Sequence, residues 1–218
     1  MKKLVIFDLD GTLLNTIEDL GHACNYALEK NGFPTHTIAS YPFFVGNGVK
    51  RLITRVLPED YRDESTIATL LADFKFYYDQ HNCDCTKPYE GITELLLDLR
   101  DAGVMMAVAS NKYQKAVDKI ITHFFGDEQF IAIEGQVDGR NRKPDPSVVF
   151  SILAKARVPK ADVLYVGDSG VDMETARRAC IDSVGVTWGF RPEKELVESF
   201  AGTIIHSPAD IFSLCVDK

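Results

Sequence analysis

Four short stretches of the chain concentrate side chains that could share one reaction. They are Asp8-Leu9-Asp10-Gly11-Thr12, Ser110-Asn111-Lys112, Lys143-Pro144-Asp145 and Gly167-Asp168-Ser169-Gly170-Val171-Asp172. If Asp8, Asp10, Asp168 and Asp172 converge, their like charges are costly unless something neutralises them. Lys143 supplies one positive charge, and a divalent cation is the natural remainder. An all-oxygen donor set favours a hard ion, and few protein ligands completed by water and substrate favour Mg²⁺. A carboxylate can also act as a nucleophile and form an aspartyl-phosphate. Phosphoryl transfer then needs metal, ammonium and oriented donors around the equatorial oxygens. The four stretches hold each of these.

These residues must be brought together by something, and the surrounding pattern says what. Short β-branched apolar runs at residues 4–7, 104–109, 130–133, 163–166, 183–186 and 203–205 read as buried parallel strands. Helical patterns lie between several of them. Ile92, Leu95, Leu96 and Leu99 share a face ahead of Gly103, and Asp145-Pro146 is expected to open a second helix. Residues 171–180 form a third. This rhythm predicts an α/β fold with a doubly wound, mostly parallel sheet, whose ligands bind beyond the carboxyl ends of the strands. Each of the four stretches follows such a strand, with Lys143 expected in an extended segment before Pro144.

From about residue 15 to residue 87 the rhythm breaks. Ile17, Leu20, Cys24 and Leu28 line one helical face, Val49, Leu52, Ile53 and Val56 another, and Ile67, Leu70, Leu71, Phe74 and Tyr78 a third. The reading is a helical domain, residues 15–87, inserted after the first strand of a sheet domain made of 1–14 and 88–218, with Lys87-Pro88 as the return hinge. Gly46-Asn47-Gly48 before Val49-Lys50-Arg51 reads equally as a ligand-approaching loop and as a turn that starts a helix. His81, Cys83 and Cys85 look like metal ligands, but no second cluster completes a set of four, so a solvated hinge is the expectation.

Composition bounds the rest. The 218 residues are 45% hydrophobic and 26% charged, enough for a real core. The 24 basic against 32 acidic side chains leave a net charge of −8, which argues against a nucleic-acid partner. Positive charge for an anionic ligand must therefore be local, and Lys50 and Arg51 are candidates beside Lys143. The apolar stretch after Lys3 is too short for a signal-peptide core, and no run suggests a membrane span. Five cysteines fit no disulfide framework, so a soluble cytoplasmic protein, monomer or homodimer, is expected.

Asp8-Leu9-Asp10-Gly11-Thr12-Leu13, Ser110-Asn111, Lys143-Pro144 and Gly167-Asp168 with Asp172 resemble the four ordered motifs of haloacid dehalogenase (HAD) superfamily phosphatases, over the whole chain. Val45-Gly46-Asn47-Gly48, Pro88-Tyr89-Glu90-Gly91 and Gly185-Val186-Thr187-Trp188-Gly189 make the resemblance closer to phosphoglycolate phosphatases. The resemblance implies a HAD-like Rossmannoid core with a helical cap. It implies Asp8 as nucleophile and Asp10 as general acid and base. Gly11, Ser110, Asn111 and Lys143 would be set around the substrate phosphate, and the loop reading of Gly46, Asn47 and Lys50 would bring them from the cap to a substrate carboxylate. Mg²⁺ would sit on Asp8, the Asp10 backbone carbonyl and Asp168, with Asp172 bound directly, through water, or behind the ligands.

The implied reaction is hydrolysis of a small phosphorylated metabolite, 2-phosphoglycolate first, with a sugar phosphate, a nucleotide or pyrophosphate as alternatives. Dehalogenation does not suit Asp10, because a departing halide needs no proton. A β-phosphoglucomutase-like phosphomutase is the nearest rival, but its cap histidine has only the ill-placed His22 as a counterpart; His36, His123 and His206 receive no role. A phospho-acceptor signalling or binding module is the non-enzymatic alternative, and the inserted helices argue against it.

Overall fold

A computed structural model describes residues 1–216 of the chain. Its sheet uses strands β1 (Leu4–Phe7), β4 (Met105–Tyr113), β5 (Ala132–Gln136), β6 (Val163–Gly167), β7 (Asp182–Val186) and β8 (Thr203–Ile205) in the order β5-β4-β1-β6-β7-β8. Every pairing within it is parallel. β1 lies inside the sheet between β4 and β6, so its carboxyl end is flanked by the carboxyl ends of both neighbours.

Strand alternation divides the core. Val5 and Phe7 face one apolar cluster together with Met106, Val108 and Val166, and helices α4 (Ile92–Asp101), α5 (Gln114–Phe124) and α9 (Ala209–Cys215) cover that side. Leu4 and Ile6 face the other, with Ala107, Ala109 and Tyr165, under α6 (Ser147–Ala156) and α7 (Gly170–Ala179). The result is the expected three-layered α/β arrangement. Helix α8 (Glu193–Glu198) follows β7.

Between β1 and α4 the chain is helical. α1 (Ile17–Lys30), a 3₁₀ turn over Ile38–Phe43, α2 (Val49–Val56) and α3 (Glu64–His81) bury Leu20, Cys24, Leu28, Tyr41, Ile53, Phe74 and Tyr78 in the same cluster as Phe7. A small antiparallel ladder that the sequence did not suggest brackets this segment: β2 (Leu14–Asn15) pairs with β3 (Lys87–Pro88). The outgoing and returning chains are thus tied side by side.

Some boundaries differ from expectation. β5 starts at Ala132, because Phe130 closes a 3₁₀ turn and packs its ring against Phe125. β4 runs on to Tyr113, so Ser110, Asn111 and Lys112 belong to the strand. Its register with β5 shifts between Ala109 and Tyr113, which frees those three residues from regular pairing. Asp145 does not cap α6 as expected: Pro146 holds that position, and the Asp145 carboxylate accepts the Ser147 N–H from one residue further out. Lys143 lies in a turn joined to Pro144 by a cis peptide bond, rather than in an extended segment.

Candidate active site

The carboxyl ends of β1, β4 and β6 bring three of the four stretches to one cavity beneath the helical segment, and Lys143, from the loop after β5, meets Asp8 beside it. Asp8, Asp10, Ser110, Asn111, Lys112 and Asp168 line its floor. Leu20, Val45, Gly46, Val49, Leu52, Phe74 and Tyr78 line its roof, and Phe190 and Arg191 close one side.

Lys143 is the hub. Its side chain is buried, and Nζ lies 2.9 Å from an Asp8 oxygen and 2.7 Å from an Asp172 oxygen. It also donates to the Ala109 carbonyl at 2.9 Å and reaches the Tyr165 hydroxyl at 3.1 Å. Burial works against the ammonium, but Asp172 and Asp8 outweigh it and hold Lys143 protonated well beyond its ordinary range. The Asp8 carboxylate also accepts the Leu9 N–H at 2.7 Å. Burial first, then Asp172, push the Asp8 carboxyl up to about 7 against the opposing pull of Lys143. Asp168 is pushed up likewise by burial, Asp172 and Asp8, although the Phe190 N–H donates to it at 2.7 Å.

Two residues along from Asp8, the Asp10 carboxylate turns to different partners. Its Oδ1 accepts from the Thr16 hydroxyl at 2.6 Å and from Lys112 Nζ at 2.7 Å. Lys112 is itself buried, with its ammonium 5.0 Å from the centre of the Tyr78 ring. Ser110 is buried on the cavity floor, and its Oγ accepts the Lys112 N–H at 3.2 Å.

The chemistry of the donor set fits a divalent cation. Oxygens of Asp8, Asp168 and Asp172 come within 4.8 Å of one another. Among the described residues nothing donates to Asp8 Oδ2 or Asp168 Oδ1, whereas both Asp172 oxygens are used, one by Lys143 and the other by the Ser169 hydroxyl and N–H. Lys112 balances Asp10, and Lys143 is left facing the remaining three carboxylates. A dication would correct that imbalance, held between the Asp8 and Asp168 carboxylates with Asp172 anchoring Lys143 behind them.

Several expected roles change. Gly11 offers no free N–H to an anion, because it donates to the Leu14 carbonyl at 2.9 Å. Its φ of +88° and closeness to Asp168 explain the glycine: a Cβ would lie 2.3 Å from Asp168 Oδ2. The side chain of Asn111 is spent on backbone, accepting the Lys143 N–H at 2.8 Å and donating to the carbonyls of Lys143 and Gly46. It positions Lys143 and ties the helical segment to the sheet. Gly46 reaches the cavity, while Asn47 turns its side-chain oxygen to Arg55. Gly48 starts α2, which is the turn reading of this loop. Lys50 is not at the cavity: it points outward and pairs with Glu64 at 2.8 Å, and Arg51 is exposed beside it. Lys50 is the next residue after Val49 and two before Leu52, about 100° and about 200° around the helix from them, so it cannot share their face.

Cationic groups that the sequence reading passed over stand in their place. Lys112 was visible as the third residue of the Ser110 stretch. Arg191 follows Gly189-Phe190 beyond the carboxyl end of β7, just past the motif of residues 185–189, to which no site role was given. Its guanidinium donates to the Pro42 and Val45 carbonyls at 2.8 Å each, clasping the helical segment. Tyr78 was read only as core; it lines the cavity, and its buried hydroxyl has no hydrogen-bond partner. His22 is exposed, away from the cavity.

Comparison with known proteins shows the family. The profile of the haloacid dehalogenase-like hydrolases matches residues 5–186. The chain is 30% identical over 223 residues to a phosphoglycolate phosphatase of Pseudomonas syringae pv. tomato, covering 100% of this chain and 81% of that one. It is 31% identical to a phosphoglycolate phosphatase of Mannheimia succiniciproducens, covering 97% of each. A crystal structure of a Lactobacillus delbrueckii subsp. bulgaricus protein superposes with a TM-score of 0.93 at 32% identity, covering 100% of both chains. The chain belongs to the haloacid dehalogenase-like hydrolase family.

Proposed function

We propose that this member of the haloacid dehalogenase-like hydrolase family is a Mg²⁺-dependent phosphatase that cleaves a small phosphate monoester through an aspartyl-phosphate on Asp8, with 2-phosphoglycolate as the preferred substrate. One observation carries the reading. Asp8 is buried at the end of a central strand, gripped on one oxygen by Lys143 and Leu9 N–H, with its other oxygen free at a cavity that Asp10 and Ser110 also line. The names of the two relatives above support the choice of ester.

In the first half-reaction the free Asp8 oxygen attacks phosphorus, and the bond from phosphorus to the ester oxygen breaks. Asp10 gives its proton to the leaving alkoxide, and Lys112 and Thr16 on one of its oxygens leave the other for that exchange. In the second, Asp10 takes a proton from water, the water oxygen bonds to phosphorus, and the Asp8–phosphorus bond breaks to release phosphate. Ser110 and Lys143 hold phosphoryl oxygens throughout. Held by Asp168 and by the Asp8 oxygen that does not attack, Mg²⁺ would supply charge to the phosphoryl oxygens.

Residues 1–14 with 88–218 would act as the catalytic core and residues 15–87 as a cap. Contacts from Arg191 and Asn111 to the carbonyls of Pro42, Val45 and Gly46 would hold the cap closed and water out. The mostly apolar roof suits a short leaving group better than a polyhydroxylated sugar, whose hydroxyls it would leave unpaired. Arg191 is the cation at the side wall for a substrate carboxylate.

The test is phosphate release from 2-phosphoglycolate, hexose phosphates, nucleoside monophosphates and pyrophosphate, compared by kcat/KM with Mg²⁺ and with EDTA. The expected result is highest kcat/KM for 2-phosphoglycolate and silence in EDTA. Turnover by an Asp8→Asn variant, or undiminished turnover without metal, overturns the mechanism; a preference for hexose phosphates overturns the substrate.

A further inference from the structure

We propose a second metal site, of the zinc class, where the helical segment leaves and rejoins the sheet domain, built from Asp19, His22 and Cys85. One ligand atom from each of these three residues lies within 4.8 Å of the others. Among the described residues only this cluster and the catalytic carboxylates meet that condition. The two differ in chemistry. The catalytic cluster offers oxygen alone, whereas this one offers carboxylate, imidazole and thiol, the donors that select zinc-like ions over Mg²⁺.

The residues are set for ligation by their local structure. Asp19 and His22 are three apart on α1 and so share one helix face. Cys85 arrives opposite them on the returning chain, just ahead of β3. Asp19 is buried and already oriented, since one oxygen accepts the Cys85 N–H at 2.9 Å and the other accepts the N–H and hydroxyl of Thr86. A carboxylate has about four acceptor positions, so one remains for a cation. The backbone bonds that hold it are the kind of supporting contact that metal-ligating carboxylates carry. His22 is exposed and, among the described residues, has no hydrogen-bond or ion-pair partner. Cys85 is half-buried, so an ion can enter from solvent with water as its fourth ligand.

The other hinge residues go elsewhere. His81 pairs with Asp84 at 2.8 Å and stacks on Tyr77, and Cys83 packs against the main apolar cluster. The cysteine and histidine pattern of residues 81–85 therefore contributes Cys85 alone, and its partners come from α1, sixty residues upstream in sequence. Partial burial and the carboxylates of Asp19 and Glu18 hold the Cys85 thiol above its usual range. Binding thus exchanges the thiol proton for the cation: M²⁺ and Cys85–SH give M²⁺–S–Cys85 and one released H⁺. An occupied site would join α1 to the returning chain beside the β2–β3 ladder, and so stiffen the crossing between the helical segment and the sheet domain.

The experiment is a Co²⁺ titration of the full chain under reducing conditions with Mg²⁺ in excess. A thiolate-to-cobalt charge-transfer band reports sulfur ligation, which the catalytic carboxylates cannot produce. The expected result is a band saturating at one equivalent, displaced by Zn²⁺, lost in Cys85→Ser, weakened in His22→Ala and retained in Cys83→Ser. Both ligand positions carry little packing, and cooperative thermal unfolding at the wild-type midpoint in EDTA establishes that each variant is folded. In the wild type Zn²⁺ raises that midpoint in the presence of Mg²⁺, and in Cys85→Ser it does not. No band with wild-type protein, a band that survives Cys85→Ser, or unchanged Co²⁺ affinity in His22→Ala overturns the site.

Discussion

Asp8 is placed for reaction at a cost to the metal-free fold, and that cost is measurable. Its carboxyl is raised from 3.8 to about 7, chiefly by burial and by Asp172. The raised value fixes the sign. Between about pH 4 and pH 7 the folded protein holds a proton that the unfolded chain has released, so the stabilisation is complete below that window and is lost as pH rises through it. About 3 pH units at about 1.4 kcal/mol each give about 4 kcal/mol. With a urea dependence of about 3 kcal/mol/M, the unfolding midpoint falls by about 1.3 M across the window from this group alone.

Asp8→Asn removes the titration while keeping an acceptor for Lys143 and the Leu9 N–H. The measurement is urea unfolding of both proteins in EDTA at about pH 5 and pH 8, with the wild-type minus variant difference cancelling the titrating groups that Asp8 does not influence. The variant is expected to exceed wild type by about 1.6 kcal/mol at the lower pH, about 1.2 pH units into the window, and by about 4 kcal/mol at the higher. Relief of Asp168, which Asp8 also pushes up, adds to the gain. Mg²⁺ at pH 8 should then stabilise wild type more than the variant, because the cation needs the ionised carboxylate. Equal pH dependence in the two proteins, or a variant less stable at pH 8, refutes the reasoning.

Lys143→Met strands the Asp172 carboxylate in the core and should cost about 3–5 kcal/mol in denaturant unfolding, with no phosphate release. Tyr78→Phe deletes a buried hydroxyl that has no partner, so it should gain about 1 kcal/mol in the same assay. If that hydroxyl donates to substrate in the cavity, kcat/KM should fall about tenfold, one hydrogen bond's worth, even as stability rises. Lys50→Ala breaks only an exposed pair with Glu64, and both stability, within about 0.5 kcal/mol, and kcat/KM should stay at wild-type values.

The sequence by itself determined the strands, the helical interruption and the carboxylates at the strand ends, since each depends on local rules. A strand buried on both faces must be continuously apolar, as in Leu4–Phe7, and the first polar residue after it, Asp8, then falls at the sheet's edge. Helical faces such as Leu20, Cys24 and Leu28 follow from periodicity alone. Tertiary structure decided what each polar group does once it arrives. Lys50 and Lys112 are both lysines near a proposed site, yet the first faces solvent on α2 and the second is buried against Asp10, because helix phase and the β4 register shift aim them differently. Asn111 and Gly11 carry motif positions, but their hydrogen-bonding groups are consumed in holding Lys143 and the Leu14 carbonyl. Arg191, Tyr78 and the meeting of Asp19 and His22 with Cys85 depend on contacts between residues distant in sequence. Short-range spacing carries no trace of such contacts, because they exist only when separate elements pack.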